Sequence, residues 1–123
     1  MLLDTHVLLW SFAEPERLGT EAAEAFRSLV TATVVSAASL WEIAIKRAAG
    51  RLAAPDDFPD IVRTIGHEIL PIRAEHAWRA GALPPHHRDP FDRLLVAQAE
   101  VENLTLMTHD RALAPYGIKV IWA

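Results

Sequence analysis

The chain has 123 residues, half of them hydrophobic, which is enough for one folded domain over 1–123 and too few for two. No apolar run approaches the roughly 20 residues of a membrane span, and no basic segment leads into an apolar stretch at the N-terminus, so neither a membrane protein nor a secreted one is expected. The lack of cysteine excludes disulfides and thiolate metal sites and favours a cytoplasmic protein. The net charge of −4 does not indicate a nucleic-acid-binding protein.

The first thirty residues predict a buried strand followed by helical segments. Residues 1–4 form a short apolar strand, and the apolar run after them continues as a turn or helix through Trp10. A helix is predicted over 20–30, with Thr20 as its N-cap and acidic residues in its first turn. An alternation of strand and helix therefore begins here.

The middle of the chain continues this alternation. Residues 33–36 are rich in β-branched side chains and predict a strand. The next segment, 38–48, predicts a helix that ends near Gly50. A further helix is predicted over 57–67, and a strand over 68–72.

The last third predicts helices over 74–82 and 90–102, a strand over 104–107, a short helix from Arg111 and a closing strand over 119–122. Short apolar strands that alternate with helices imply a parallel sheet covered on both faces. The predicted fold class is therefore α/β, with a short parallel sheet of about 4–5 strands between helices.

Four acidic residues stand in segments that should be buried. They are Asp4, Glu42, Asp92 and Asp110. A buried carboxylate is costly unless it is paired or binds a metal ion. In parallel sheets, ligands collect beyond the carboxyl ends of the strands. Asp4 follows its strand directly, and Asp110 follows the strand over 104–107 with two residues between. All four side chains are expected to face one crevice, and an all-oxygen donor set of this kind suits Mg²⁺ or Mn²⁺.

Each acid also has an ordinary structural explanation. Asp4 fits a turn at the end of a strand. Glu42 fits an ion pair with Lys46 one helical turn later. Asp110 fits the N-cap of the short helix, with Thr108 supporting it by a hydroxyl hydrogen bond. Asp92 fits the first turn of its helix, where the helix dipole favours an acid. These explanations are acceptable singly, but together they require four coincidences at the same edge of one sheet.

The start of the helix over 90–102 carries two acids with different expected roles. Asp89 is a natural N-cap in front of Pro90, which fits the first helical position. Asp92 lies one turn before Leu95 and Val96, so its side chain projects from an apolar face of the predicted helix. We therefore expect Asp92 to be the metal ligand and Asp89 to be a supporting residue.

Other polar and aromatic residues carry weaker signals. The loop histidines His86, His87 and His109 show no partner spacing for a transition metal and are expected to be solvated. Trp10 is expected in the core or in an interface. Arg111, next to an acidic position, is expected either to neutralise the pocket or to hold a phosphate backbone.

The chain resembles PIN domains of the bacterial VapC toxin type. Four segments carry the resemblance, in order and at suitable spacing: Asp4-Thr5-His6, 39–46, 87–99 and Thr108-His109-Asp110. The resemblance implies a three-layer PIN-like fold and a Mg²⁺- or Mn²⁺-dependent ribonuclease, the toxin of a type II toxin–antitoxin pair. It also implies a small antitoxin that blocks the site, and a homodimer.

The resemblance also implies roles for individual residues. The acidic quartet of the family corresponds to Asp4, Glu42, Asp92 and Asp110, and the hydroxyl residues beside its first and last acids correspond to Thr5 and Thr108. We expect the three aspartates to hold the metal ion, and Glu42 to complete a second site or position the attacking water. An antitoxin segment is expected along residues 7–10 and the 38–48 helix.

Two other classes of protein share part of this pattern. A signalling receiver domain has a similar length, an α/β alternation and an acidic magnesium pocket, but it needs paired acids after its first strand. A binding module could use the same acids to capture a basic peptide without any turnover. Metal-dependent cleavage of RNA distinguishes the ribonuclease from both.

Overall fold

A computed structural model describes residues 1–28 and 31–123, and within these ranges five short strands form one parallel sheet. The strands are β1 (Leu2–Leu3), β2 (Val34–Ser36), β3 (Glu68–Leu70), β4 (Leu106–Thr108) and β5 (Val120–Trp122). The helices are α1 (Thr5–Ala13), α2 (Thr20–Arg27), α3 (Ala37–Ala48), α4 (Phe58–Thr64), α5 (Ala74–Ala82) and α6 (Pro90–Val101). Two 3₁₀ helices, Pro15–Arg17 and Arg111–Tyr116, complete these elements.

The order of the strands places a topological switch point in the centre of the sheet. The order is β3-β2-β1-β4-β5, and all neighbouring strands are parallel. The chain builds outwards in one direction from β1 to β3 and in the other from β4 to β5, so the crevice opens between β1 and β4. A receiver domain has the order 2-1-3-4-5, so the sheet differs from that alternative.

Both faces of the three central strands, β1, β2 and β4, are buried, as the continuous apolar runs of these strands predict. Successive strand residues point to opposite faces. Leu2 therefore packs into a core with α6, whose Leu95 is fully buried. The next residue, Leu3, packs into a second core on the opposite face, with Ile43 of α3 and Val62 of α4. The three-layer α/β arrangement expected from the sequence is confirmed.

Several element boundaries differ from the prediction for identifiable reasons. Thr20 is the first residue of α2 rather than its N-cap, which is Gly19. That helix ends at Arg27 with Ser28 as its C-cap, and residues 29–30 of the predicted helix lie outside the described residues. Helix α4 ends before Gly66, whose φ of 107° belongs to the left-handed region that favours glycine.

The ends of two strands, β3 and β4, also differ from the prediction by one or two residues. Strand β3 stops at Leu70, directly before Pro71, which has no N–H to donate to a neighbouring strand. Strand β4 extends to Thr108, which brings the hydroxyl of this residue to the edge of the crevice. In the described ranges, no helix combines the length and apolar character that a membrane crossing requires.

Candidate active site

Asp4 lies at the end of β1, in the middle of the carboxyl edge of the sheet. It is only 5% exposed. Its carboxylate accepts a hydrogen bond from the backbone N–H of Val7 at 2.8 Å and a second one from the hydroxyl of Thr108. Burial raises the pKa of Asp4 above its ordinary value, against the lowering effect of these two bonds. The carboxylate is therefore firmly oriented, but by two donors that carry no charge.

Asp110 reaches the same edge from the loop after β4. Its side chain accepts from the backbone N–H of Ala112 at 3.0 Å and caps the following 3₁₀ helix. Its own N–H donates to the hydroxyl oxygen of Thr108 at 3.0 Å, so this hydroxyl links the first and last acids. Burial alone would raise the pKa of Asp110, but hydrogen bonds from Ala112 and His87 lower it below its ordinary value.

Asp89 and Asp92 occupy different environments at the start of α6. Asp89 is the N-cap, and its carboxylate accepts from the N–H of Phe91 at 2.8 Å. Asp92 stands in the first turn, half-buried beside the other acids. Burial, followed by the negative charge of Asp89, raises the pKa of Asp92 to about 7, and Asp4 and Glu42 add to the effect. An anion at Asp92 is therefore poorly compensated without a cation.

Glu42 is 7% exposed on α3, so its side chain faces the protein rather than solvent. Its carboxylate accepts from the hydroxyl of Thr5 at 2.7 Å and from the Lys46 ammonium at 2.9 Å. Ser39, also buried, lies 3.1 Å from the same Thr5 hydroxyl. The ion pair with Lys46 proposed as the ordinary explanation therefore exists, and it occurs together with a buried contact to α1.

His87 is the residue of the site that sequence reasoning missed. Its Nε2 lies 2.9 Å from Asp110 Oδ2 and 3.3 Å from Asp92 Oδ2. Its Nδ1 accepts the backbone N–H of Asp89 at 3.0 Å, so in the neutral ring the hydrogen is on Nε2. In this tautomer His87 donates to the carboxylate of Asp110 and offers no lone pair to a metal ion. The sequence signals were its position two residues before an N-cap and its place at the start of the segment 87–99.

The carboxylates meet in a cleft of about 700 Å³ at the switch point. Asp4, Asp92 and Asp110 line this cleft, and Glu42 lines an adjoining one of about 460 Å³. Among the described residues, side-chain atoms of His87, Asp92 and Asp110 lie within 4.8 Å of one another, a group that does not include Asp4 and in which His87 is a hydrogen-bond donor. Three carboxylates in one cleft, two of them with raised pKa values, can bind a hard divalent cation.

An apolar groove lies on the other side of α1, between that helix and α4. Leu9, Phe12, Phe58 and Ile61 line its volume of about 230 Å³, and the rings of Phe12 and Phe58 are 5.4 Å apart. The expected antitoxin groove along residues 7–10 needs correction, because three of these four side chains are buried and only Leu9 reaches the groove. Helix α3 contributes to a smaller neighbouring cleft.

Comparisons with known proteins agree on one family. The model of the PIN domain family matches residues 1–119. The chain is 36% identical over 121 residues to Ribonuclease VapC22 of Mycobacterium tuberculosis, which covers 92% of this chain and 88% of that protein.

Solved structures with the same fold include two toxin–antitoxin complexes. DNA-bound VapBC from Salmonella typhimurium has a TM-score of 0.72 at 18% identity, covering 98% of this chain and 95% of that one. A toxin–antitoxin complex from Klebsiella pneumoniae has a TM-score of 0.65 at 20% identity, covering 98% and 94%. At these identities the structural likeness concerns the fold alone.

Proposed function

Because the chain belongs to the PIN domain family, we propose that 1–123 is a single domain that acts as a metal-dependent endoribonuclease, the toxin of a type II toxin–antitoxin pair. RNA is its substrate, and the cytoplasm is its place of action. The observation that carries the proposal is the cleft in which Asp4, Asp92 and Asp110 meet, with the pKa of Asp92 raised to about 7. The receiver and peptide-binding alternatives are not favoured by this family membership.

The donor set fits Mg²⁺ or Mn²⁺, since it consists of carboxylate oxygens without thiolates. Asp4, Asp92 and Asp110 would hold the ion. When bound, such an ion lowers the pKa of a water molecule and offsets charge on the phosphate. The raised pKa of Asp92 supports this assignment, because a nearby cation relieves the burial and repulsion that disfavour its anion.

The remaining residues orient these carboxylates. The Thr108 hydroxyl and the Val7 N–H fix Asp4, and the Ala112 N–H fixes Asp110. Thr5 and Lys46 hold the carboxylate of Glu42, which we assign to positioning the water that attacks the phosphorus. Attack by water rather than by the ribose 2′-hydroxyl leaves a 5′-phosphate and a 3′-hydroxyl.

The direct test is cleavage of labelled RNA by the purified toxin, freed from its antitoxin. Cleavage is expected with Mg²⁺ or Mn²⁺ present, should stop on addition of EDTA, and should return when excess metal is restored. Mass spectrometry of the products should find 5′-phosphates. Cleavage that persists in EDTA, or products that end in a 2′,3′-cyclic phosphate, would contradict the proposed chemistry.

We place the antitoxin in the apolar groove between α1 and α4, where an amphipathic segment can bury its apolar face. Phe12 is 39% exposed there, although its ring contacts Phe58. Phe12→Asp should weaken inhibition by the cognate antitoxin by about tenfold or more, because a charge replaces an apolar contact. Titration of cleavage activity with antitoxin measures this.

Val101→Asp is the matched control for the groove, since Val101 is 43% exposed at the end of α6. It should leave inhibition by the antitoxin unchanged. Free Phe12→Asp toxin should still cleave RNA, because Phe12 lines the apolar groove and not the clefts that the four acids line. Equal inhibition of Phe12→Asp and wild type would show that the antitoxin binds elsewhere.

We also propose that the toxin is a homodimer, joined through the outer face of α3. Trp41 and Ile45 are 59% and 45% exposed one turn apart, and the Trp41 ring lies 5.2 Å from that of Phe91. Trp41→Glu should yield a monomer by sedimentation analysis, since burial of a charge opposes association. Trp78→Glu, at a residue 87% exposed on α5, should remain dimeric; a dimer in both variants would place the interface elsewhere.

A further inference from the structure

The cleft that contains the three aspartates has a second wall whose chemistry differs from that of its acidic floor. This wall consists of His6, Trp10, Arg17, His109 and Arg111. His6 and His109 stand close in sequence to Asp4 and Asp110, so the wall borders the carboxylates directly. None of its side chains is needed to orient the four acids, and its composition combines aromatic rings with cations.

Trp10 is the fixed centre of this wall. It is 8% exposed, whereas His6 and His109 are exposed. The imidazole of His109 packs at 4.9 Å against the Trp10 ring, with a tilt of 66°, and the His6 ring lies 6.3 Å away. Packing against a buried indole restricts the exposed His109 ring, which makes it a suitable surface for another flat group.

The two arginines of the wall are also held by aromatic rings. The Arg17 guanidinium lies over the Trp10 ring at 4.3 Å, and that of Arg111 lies over the Trp122 ring at 4.2 Å. A stacked guanidinium keeps the N–H groups at its edge available for phosphate oxygens. Arg17 also pairs with Glu14 at 3.0 Å, but both side chains are about half exposed, so this pair is weak.

We propose that this wall is a binding site for an unpaired nucleotide of single-stranded RNA next to the cleaved phosphate. His109 stacks on the base, and Arg17 and Arg111 hold the flanking phosphates. The inference rests on the proposed ribonuclease function and specifies its substrate class. A polyanion that approaches an acidic floor needs cations beside it, and a base reaches the His109 ring only when it has left its own helical stack.

Binding can be measured without cleavage in an Asp92→Asn background, by fluorescence anisotropy of a short fluorescein-labelled RNA in Mg²⁺. His109→Ala should weaken binding of the single strand by about tenfold, the scale of one base stacked on an aromatic side chain, with the salt dependence unchanged. Arg17→Gln and Arg111→Gln should each lower the slope of log K against log salt by roughly 0.7, the value for one phosphate contact on a single strand. The duplex of the same RNA should bind more weakly and respond little to His109→Ala.

Matched controls exist for both kinds of contact. Arg63 forms an exposed pair with Asp60 three residues earlier, as Arg17 does with Glu14, so Arg63→Gln should leave the salt slope unchanged. His86 is exposed and packs on Tyr116 at 5.1 Å outside the cleft, so His86→Ala should not change affinity. Circular dichroism of each variant checks that the fold is retained.

These experiments test the nucleotide site and the ribonuclease function separately. Unchanged affinity in His109→Ala, or an unchanged salt slope in both arginine variants, would overturn the nucleotide site. Cleavage of the same RNA by the wild-type protein is measured in parallel. If the wild type cleaves while the wall variants bind RNA normally, the proposed nucleotide site is wrong and the proposed ribonuclease function is retained. If the wild type does not cleave, the proposed function itself is wrong.

Discussion

Replacing Asp92 by asparagine is expected to abolish RNA cleavage while the fold survives. Asparagine keeps the shape of the side chain in the first turn of α6 but removes one of the three anionic donors that line the cleft. Loss of a group that stabilises charge in the transition state costs on the order of 10²–10³ in kcat, and loss of the metal ion costs more. The measurement is the single-turnover cleavage rate in saturating Mg²⁺, with circular dichroism as the check on folding.

Asp89→Asn is the matched control, because it makes the same chemical change three residues earlier on the same helix. Asp89 accepts the N–H of Phe91 at 2.8 Å as the N-cap of α6, and asparagine caps helices about as well as aspartate does. Most of the activity should therefore remain. An inactive Asp89→Asn together with an active Asp92→Asn would mean that ligand and cap have been exchanged.

The positions of Asp4 and Asp110 could be predicted from the sequence because one regularity fixes them. The apolar runs 1–4 and 104–107 mark two buried strands, and the residues after parallel strands meet at one edge of the sheet. The observed order puts β1 and β4 side by side, with Leu3 opposite Met107. Periodicity alone does not predict the order of the strands, and it places the start of β4 two residues too early and its end one residue too early.

The position of His87 could not be predicted, because it depends on contacts between residues distant in sequence. The guanidinium of Arg93 donates to the carbonyls of Pro84 at 3.0 Å and Leu83 at 2.9 Å, which ties the loop before α6 to that helix. The Tyr116 hydroxyl accepts the N–H of His87 from the far end of the chain. No local sequence pattern predicts these hydrogen bonds, so the sequence alone indicates an ordinary, solvated loop histidine.

The burial of Glu42 also depends on contacts between distant residues, although the sequence analysis did identify Glu42 as a candidate. Its spacing to Lys46 predicts an ion pair on a helix surface, and the resemblance to PIN domains predicts a site residue. Both descriptions fit the same geometry, because the buried hydroxyl of Thr5 reaches Glu42 from α1. The packing of α1 against α3 decides the burial, and a helical repeat in one segment carries no information about its neighbour.

The metal-free protein should lose stability as the pH rises from about 4 to about 7. The folded-state pKa of Asp92 is raised from 3.8 to about 7, chiefly by burial and then by the charge of Asp89. Between these two pH values the folded protein binds more protons at Asp92 than the unfolded chain does, so raising the pH favours unfolding. Asp4, whose pKa is also raised by burial, acts in the same direction.

The size of the effect follows from the shift in the pKa of Asp92. A shift of roughly three units corresponds to at most about 4 kcal/mol, and partial solvent exposure of the side chain reduces this to about 2 kcal/mol. Urea unfolding in EDTA at several pH values measures it. Addition of Mg²⁺ at neutral pH should recover the loss, because an ion at about 100 times its Kd contributes about 2.7 kcal/mol to the folded state.

Comparison with Asp92→Asn isolates this residue from the other groups that titrate in the same range. His67 has its pKa lowered by burial, so it destabilises the fold as the pH falls, which opposes the effect of Asp92 in the wild-type profile. This contribution cancels in the difference between the two proteins. The stability of Asp92→Asn relative to wild type should therefore grow with pH up to about 7 and then level off. A constant difference across this range would mean that Asp92 ionises normally in the metal-free protein, and the cleft would then lack the uncompensated charge that makes it a cation site.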